Sequence, residues 1–238
     1  ISVSFDTENE KMNIINKIYN DLSTFSLEFL KAKPYPHLVL DNFLDENFFK
    51  NLDVESIVVN QKKGTNFKTD VEKNKWASKN VELSKNISII VNELYKDNFI
   101  KNLGKLSKIK NLFSTNMGNV DLANYHEMYD SGFLGTHVDH SSEPSTGLPH
   151  VLNIILYLSK GWEKSWGGAT MFANKNGTKI EKIVDYVPNR AVIFLHSPFT
   201  FHGVTEIKNN KIKRSSIYVD YYSKNKNPYA HLNLDFKN

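Results

Sequence analysis

The chain has 238 residues, a formal charge of +4 and no cysteine, so disulfides, thiolate metal sites, iron–sulfur clusters and thiol nucleophiles are excluded. Its 30 basic side chains include two arginines, Arg190 and Arg214, the rest being lysines scattered over the whole length, a distribution that argues against a nucleic-acid footprint. With 40% hydrophobic and 12% aromatic residues there is material for a packed core, and no apolar run approaches a membrane span.

In chain order, Met12, Ile15, Ile18, Tyr19 and Leu22 recur at helical spacing, and Pro34 and Pro36 end that helix. His37-Leu-Val-Leu reads as a short strand, and Asp45 is a candidate N-cap for the helix that follows. Residues 60–81 are polar, rich in Lys and Asn, and carry a lone Trp76, which predicts a long loop acting as a lid or lacking fixed structure. Ile87, Ile90, Val91, Leu94 and Tyr95 give a further helix.

Past residue 115 the pattern changes to short strands separated by Gly, Pro and Asn turns. Strands are predicted at 121–129, 136–140, 151–159, 169–172, 180–187, 191–195, 202–207 and 213–222. The expected fold is α+β, mainly β: a double-stranded β-helix, or jelly roll, with N-terminal helices packed on its outer face. A single domain is expected, with 1–115 as helical support plus lid loop, 116–222 as the roll, and 223–238 as a tail. The chain start has neither a basic nor an apolar leader pattern, so a soluble, cytoplasmic protein is expected, with no membrane partner.

The chemistry concentrates in His137-Val-Asp139 and His202. Residues i and i+2 of a strand share a face, so His137 and Asp139 can converge on one atom. A distant histidine would complete a set of two imidazoles and one carboxylate, which leaves coordination positions open and suits non-haem Fe(II). Arg214 and Ser216 share one face of the last strand, and a guanidinium grips a carboxylate in a way that lysine cannot.

At this point the sequence resembles the Fe(II)/2-oxoglutarate-dependent oxygenases, prolyl 4-hydroxylase-like branch. The resemblance runs over about 35–222 and rests on five stretches in order. These are Pro36-His-Leu-Val-Leu-Asp-Asn-Phe-Leu, Tyr129-Asp-Ser-Gly132 through His137-Val-Asp139, Val151 through Tyr157-Leu-Ser, Trp166-Gly-Gly-Ala-Thr170-Met-Phe172, and His202-Gly-Val with Arg214. Three departures stand out. The second stretch is one residue short between Gly132 and His137. Pro188-Asn189-Arg190 replaces a turn where the family has glycine, and His150 occupies a strand position that is Arg or another polar residue in some protein hydroxylases.

The resemblance implies Fe(II) on His137, Asp139 and His202. It implies 2-oxoglutarate clamped by Arg214 with help from Tyr157, Ser216 or Tyr129. O2 is the oxidant, with ascorbate as a candidate auxiliary. The implied activity is hydroxylation of an unactivated C–H, foremost a prolyl residue of a protein or peptide, with release of succinate and CO2. Trp76, His150 and His196 are candidate substrate contacts, although a strand-end role suits His150 better. Two alternatives stay open: the same chemistry on a small molecule, lipid or sugar, and a non-catalytic jelly-roll binding module. Oligomeric state is not legible.

Overall fold

The structure, a computed structural model, describes residues 12–54, 65–67, 71–78, 84–115, 124–230 and 232. The chain enters through two 3₁₀ turns, Lys17–Tyr19 and Leu22–Phe25, which lead into α1 (Ser26–Lys31). The single helix expected from Met12 onward is therefore broken. Asn16 and Asp21 each accept a bond from a backbone N–H two residues on, restarting the backbone at both points. Then follow β1 (His37–Leu40) and α2 (Glu46–Lys50), with Asp45 capping α2 by accepting from the Asn47 and Phe48 amides. Next come β2 (Thr65–Phe67), β3 (Glu72–Ser78), α3 (Lys85–Tyr95) and α4 (Asp97–Ser107).

The roll comprises β4 (Leu112–Phe113), β5 (Tyr125–His137), β6 (His150–Tyr157), β7 (Thr170–Ala173), β8 (Ile180–Val184), β9 (Ala191–Leu195), β10 (His202–Val204) and β11 (Arg214–Ser223). Its order is β1-β9-β6-β11-β5-β10-β7-β8, and every pairing is antiparallel. The mainly β, jelly-roll-like expectation holds.

Two strand assignments need correction. The strands predicted at 121–129 and 136–140 are one strand, β5, which carries a positive φ of 59° at Ser131. Its first half pairs with β11 and its second half with β10, so β5 joins both walls of the roll. The predicted 60–81 loop contains strands β2 and β3, and β3 pairs along β5. Backbone hydrogen bonds to β2 on one side and β5 on the other set that pairing, so this polar segment forms a strand without apolar alternation. Residues 60–64, 68–70 and 79–81 of that stretch lie outside the described residues.

Alternating side chains of the central strands feed two cores. Leu152, Ile154, Leu156, Ile193, Ile217 and Val219 pack against Leu22, Phe29, Ile87, Leu94, Phe99 and Leu103 from the helical layer. Ile155, Tyr157, Val192 and Phe194 point the other way and meet Phe172 and Val204 inside the roll. Both faces of β6 are thus buried, and a strand with apolar residues on both faces is what such a layer requires. The helices cover one wall, while the opposite face lines a cavity.

Arg190 sits at the Pro188-Asn189-Arg190 turn. Asn189 adopts φ 61°, so asparagine supplies the left-handed backbone in place of glycine. Its side chain also bonds the Leu44 backbone at 2.8 and 3.1 Å. Arg190 forks onto Asp41 with contacts of 2.6 and 3.1 Å, tying the lead-in after β1 to this turn.

Candidate metal and co-substrate site

His137 ends β5, and His202 begins β10 directly opposite it in register. Asp139 follows two residues after His137. One ligand atom from each of the three lies within 4.8 Å of the others. His137 Nε2 is 3.2 Å from Asp139 Oδ1, and His202 Nε2 is 3.4 Å from Asp139 Oδ2. Gly203 makes this approach possible: a Cβ there would stand 2.5 Å from the Leu134 carbonyl oxygen of β5. The sequence pairing of His-x-Asp with a distant histidine is realised as one cluster.

The electrostatics suit a cation. Burial would raise the Asp139 carboxyl, but His202 and His137 hold it well below the usual carboxylate range. Burial acts against protonation of His137, yet the Asp139 hydrogen bond and charge raise its pKa. His202 is pushed down to about 4 by burial, against the pull of Asp139, and so offers a neutral imidazole. Two imidazoles and a carboxylate concentrated at one point form a donor set that Fe(II) accepts, with three faces left for other ligands.

The three residues border a cavity of about 320 Å³. Along β11, Arg214, Ser216, Tyr218 and Asp220 all line it, as alternation on one strand face demands. Arg214 lies at one end with Met128 and Thr170, and is 3% exposed. Its Nε donates to the Gly168 carbonyl at 2.7 Å, and Tyr157 and Tyr186 lie under the guanidinium at 5.4 and 4.9 Å. Burial lowers its pKa. The described residues offer it no carboxylate, and its one terminal-nitrogen contact is a 3.9 Å approach to the Met128 sulfur. A buried fork of this kind fits the distal carboxylate of 2-oxoglutarate. Gly168, at φ +69°, lets Arg214 approach, because a Cβ would meet its Cδ at 3.0 Å.

The other predicted site residues fall in different places. Ser216 lines the cavity beside Arg214. Tyr157 is buried beneath Arg214 with its hydroxyl on Thr170 Oγ1 at 2.5 Å, so Thr170, not Tyr157, borders the space. Tyr129 is 39% exposed, and its hydroxyl donates to Glu127 away from the cavity lining. His150 and His196 do not line the cavity either. They stack on each other outside the cavity lining, with ring centroids 3.9 Å apart. Burial and the neighbouring His150 push His196 down to about 3. The Trp76 backbone pairs with Glu127, and its side chain lies outside what is described.

Sequence reasoning missed Thr170, Tyr218 and Asp220. Extending the Arg214–Ser216 face by two more steps of alternation would have found Tyr218 and Asp220. Thr170 lies inside the quoted Trp166–Phe172 stretch. His126 and His140 also border the Asp220 end of the cavity, with His126 stacked on the Tyr218 ring.

Residues 121–221 match the family model described as 2OG-Fe(II) oxygenase superfamily. No curated protein sequence matches the chain. Among solved structures, a Trichoplax adhaerens prolyl hydroxylase in complex with a hypoxia inducible factor peptide fragment aligns with TM-score 0.63 at 14% identity, covering 90% of this chain and 94% of that one. A Pseudomonas putida prolyl-4-hydroxylase aligns with TM-score 0.55 at 13% identity, covering 86% and 100%. HygX from Streptomyces hygroscopicus, with nickel, 2-oxoglutarate and hygromycin B bound, aligns with TM-score 0.52 at 10% identity, covering 79% and 83%. The resemblance read from the motifs is thus matched over 121–221 by the model of a family that uses Fe(II), 2-oxoglutarate and O2, and the fold is like that of the prolyl hydroxylases.

Proposed function

We propose that this chain is a single-domain dioxygenase that hydroxylates an unactivated C–H, foremost that of a prolyl residue in a protein or peptide. The observation that carries this reading is the pairing, in one cavity, of the His137–Asp139–His202 cluster with the buried Arg214 fork. A structural arginine would have a carboxylate or a set of carbonyls around it. Among the described residues this one has a single oxygen partner, at Nε.

His137, Asp139 and His202 would hold Fe(II). Arg214 would grip the distal carboxylate of 2-oxoglutarate, with Ser216 and Thr170 as neighbouring hydroxyls. Iron, 2-oxoglutarate and O2 together supply oxidative decarboxylation to succinate and CO2 and the oxidising power for C–H hydroxylation. The chain's own part is orientation and dryness. Met128, Leu134, Ile155 and Val204 keep the cavity wall apolar around the charged groups, which limits side reactions with water. Substrate would enter from the Asp220 end, since Arg214 closes the other.

The peptide reading rests on the fold likeness to the Trichoplax enzyme, whose structure includes a peptide fragment. Strand β3, which brings Glu72 and Lys75 to the cavity opposite Leu134 and Met128, gives this chain an extended backbone along the cavity wall. A small-molecule substrate is the second reading, favoured by the polar groups His126, His140 and Asp220 at that same end. The test is succinate formation with Fe(II) and 2-oxoglutarate, with and without proline-containing peptides. Peptide-stimulated succinate, matched by a peptide gaining the mass of one oxygen atom, is expected. Peptide-independent turnover that an amino sugar or another polar small molecule stimulates would transfer the assignment to the second reading.

A further inference from the structure

The Asp139 carboxylate is held from behind by side chains that the co-substrate chemistry does not use. Its Oδ2 accepts from the Tyr218 hydroxyl at 2.5 Å and from the Asn153 amide nitrogen at 3.3 Å. Asn153 is fully buried on β6, opposite Asp220 of β11 in register. Its carbonyl oxygen faces His150 Nε2. An imidazole N–H can donate only to the carbonyl end of an amide, so this contact compels the amide NH2 to turn toward Asp139.

His150 is itself fixed. Its Nδ1 lies 2.9 Å from the His140 carbonyl oxygen, and its Nε2 faces both the Asn153 carbonyl and Asp220 Oδ1, the latter at 3.3 Å. All of these partners are acceptors, so a hydrogen on either ring nitrogen has an oxygen to meet, and the Asp220 carboxylate lies beside the ring and raises its pKa against the effect of burial. A buried row results, running Asp220, His150, Asn153, Asp139, with Tyr218 joining at the last carboxylate.

We propose that Asn153 and Tyr218 are positioning residues that lock Asp139 for metal binding, with His150 and Asp220 setting the orientation of Asn153. Two donors already engage Oδ2, the oxygen on the His202 side, and leave Oδ1, on the His137 side, as the oxygen free to take the metal. One-oxygen ligation keeps a coordination position that a two-oxygen grip would consume. A carboxylate without these donors is free to rotate and to lose that preference. The inference rests on the reading that the triad holds a divalent metal, and it concerns how the ligand is held there.

The test is Co(II) binding to metal-free protein, followed by calorimetry and by the visible absorption of the bound ion, with no turnover involved. Tyr218→Phe removes one oxygen and leaves the ring packing on His126 in place; Asn153→Leu removes the amide at similar volume. Each variant is expected to bind Co(II) about 10- to 100-fold more weakly than wild type, the usual cost of losing a partner behind a metal ligand. The Co(II) spectrum should change as well, a readout that a purely structural contact would leave alone. Should Asn153→Leu fail to fold, Tyr218→Phe decides by itself. Wild-type affinity and spectrum in Tyr218→Phe would overturn the positioning role while leaving the metal site intact. A wild-type protein that does not bind Co(II) would overturn the metal reading itself and this inference with it.

Discussion

Replacing Arg214 separates its function from any structural role. The guanidinium is almost fully buried, yet its only oxygen partner among the described residues is the Gly168 carbonyl at 2.7 Å. Arg214→Lys keeps a charge but loses the fork, so at least one charge-assisted hydrogen bond to the distal carboxylate disappears. Such a bond contributes about 1.5–3 kcal/mol, which corresponds to a rise of about 10- to 150-fold in the 2-oxoglutarate KM. The assay is initial-rate succinate formation over a 2-oxoglutarate series. Arg214→Met goes further. It strands one carbonyl at a cost of about 1–3 kcal/mol, but it also lifts the desolvation penalty of a buried cation, several kcal/mol in size. The metal-free Arg214→Met protein should therefore melt at or above the wild-type temperature while losing its response to 2-oxoglutarate. A wild-type KM in Arg214→Lys would refute the clamp. A large drop in melting temperature for Arg214→Met would make Arg214 a structural cation instead.

Further predictions concern the neighbouring framework. Gly168→Ala places a Cβ 3.0 Å from Arg214 Cδ and 3.1 Å from the Trp162 ring at a positive φ. It should destabilise the fold by about 1–3 kcal/mol and raise the 2-oxoglutarate KM, checked by thermal melts and the same kinetic series. Arg190→Lys, by contrast, loosens a partly exposed ion pair with Asp41, so it should cost about 0.2–1 kcal/mol and leave that KM unchanged. Metal affinity should fall with acidity. The raised pKa of His137 in the metal-free protein means that a proton occupies this ligand below that pKa and must leave on binding. His202, already lowered to about 4, adds no such penalty above that pH. Calorimetric Co(II) titrations in buffers of different ionisation enthalpy should show proton release that grows as pH drops toward the His137 pKa from above.

Much of the site was legible because strand alternation converts spacing into direction. His137 and Asp139, or Arg214 and Ser216, are each two residues apart, and the structure brings each pair to one cavity. The rest depends on register between strands, which spacing along one strand does not encode. His202 opposite His137, and Asn153 opposite Asp220, are pairings of residues far apart in the chain. For the same reason His150 could be read as a strand-end histidine or as a substrate contact: a histidine at a strand end carries no mark of which wall it faces. Ser131-Gly132 reads as a turn between two strands, whereas the positive φ at Ser131 lies inside a single strand that crosses from one wall to the other. Helix α4 was not read from the sequence, although Phe99, Leu103 and Leu106 stand at helical spacing on one buried face. The fork of Arg190 on Asp41, which fastens the lead-in segment to the turn before β9, likewise joins residues far apart in the chain.

The central claim is that His137, Asp139 and His202 support 2-oxoglutarate-dependent oxidation. Its most direct test is succinate formation by protein reconstituted with Fe(II) under air, run beside His137→Ala and Asp139→Ala proteins that melt like the metal-free wild type. The account predicts succinate and CO2 in equal amounts from the wild type and none above background from either variant. Wild-type protein that binds Fe(II) and 2-oxoglutarate yet forms no succinate, or variants that form it at the wild-type rate, would contradict it.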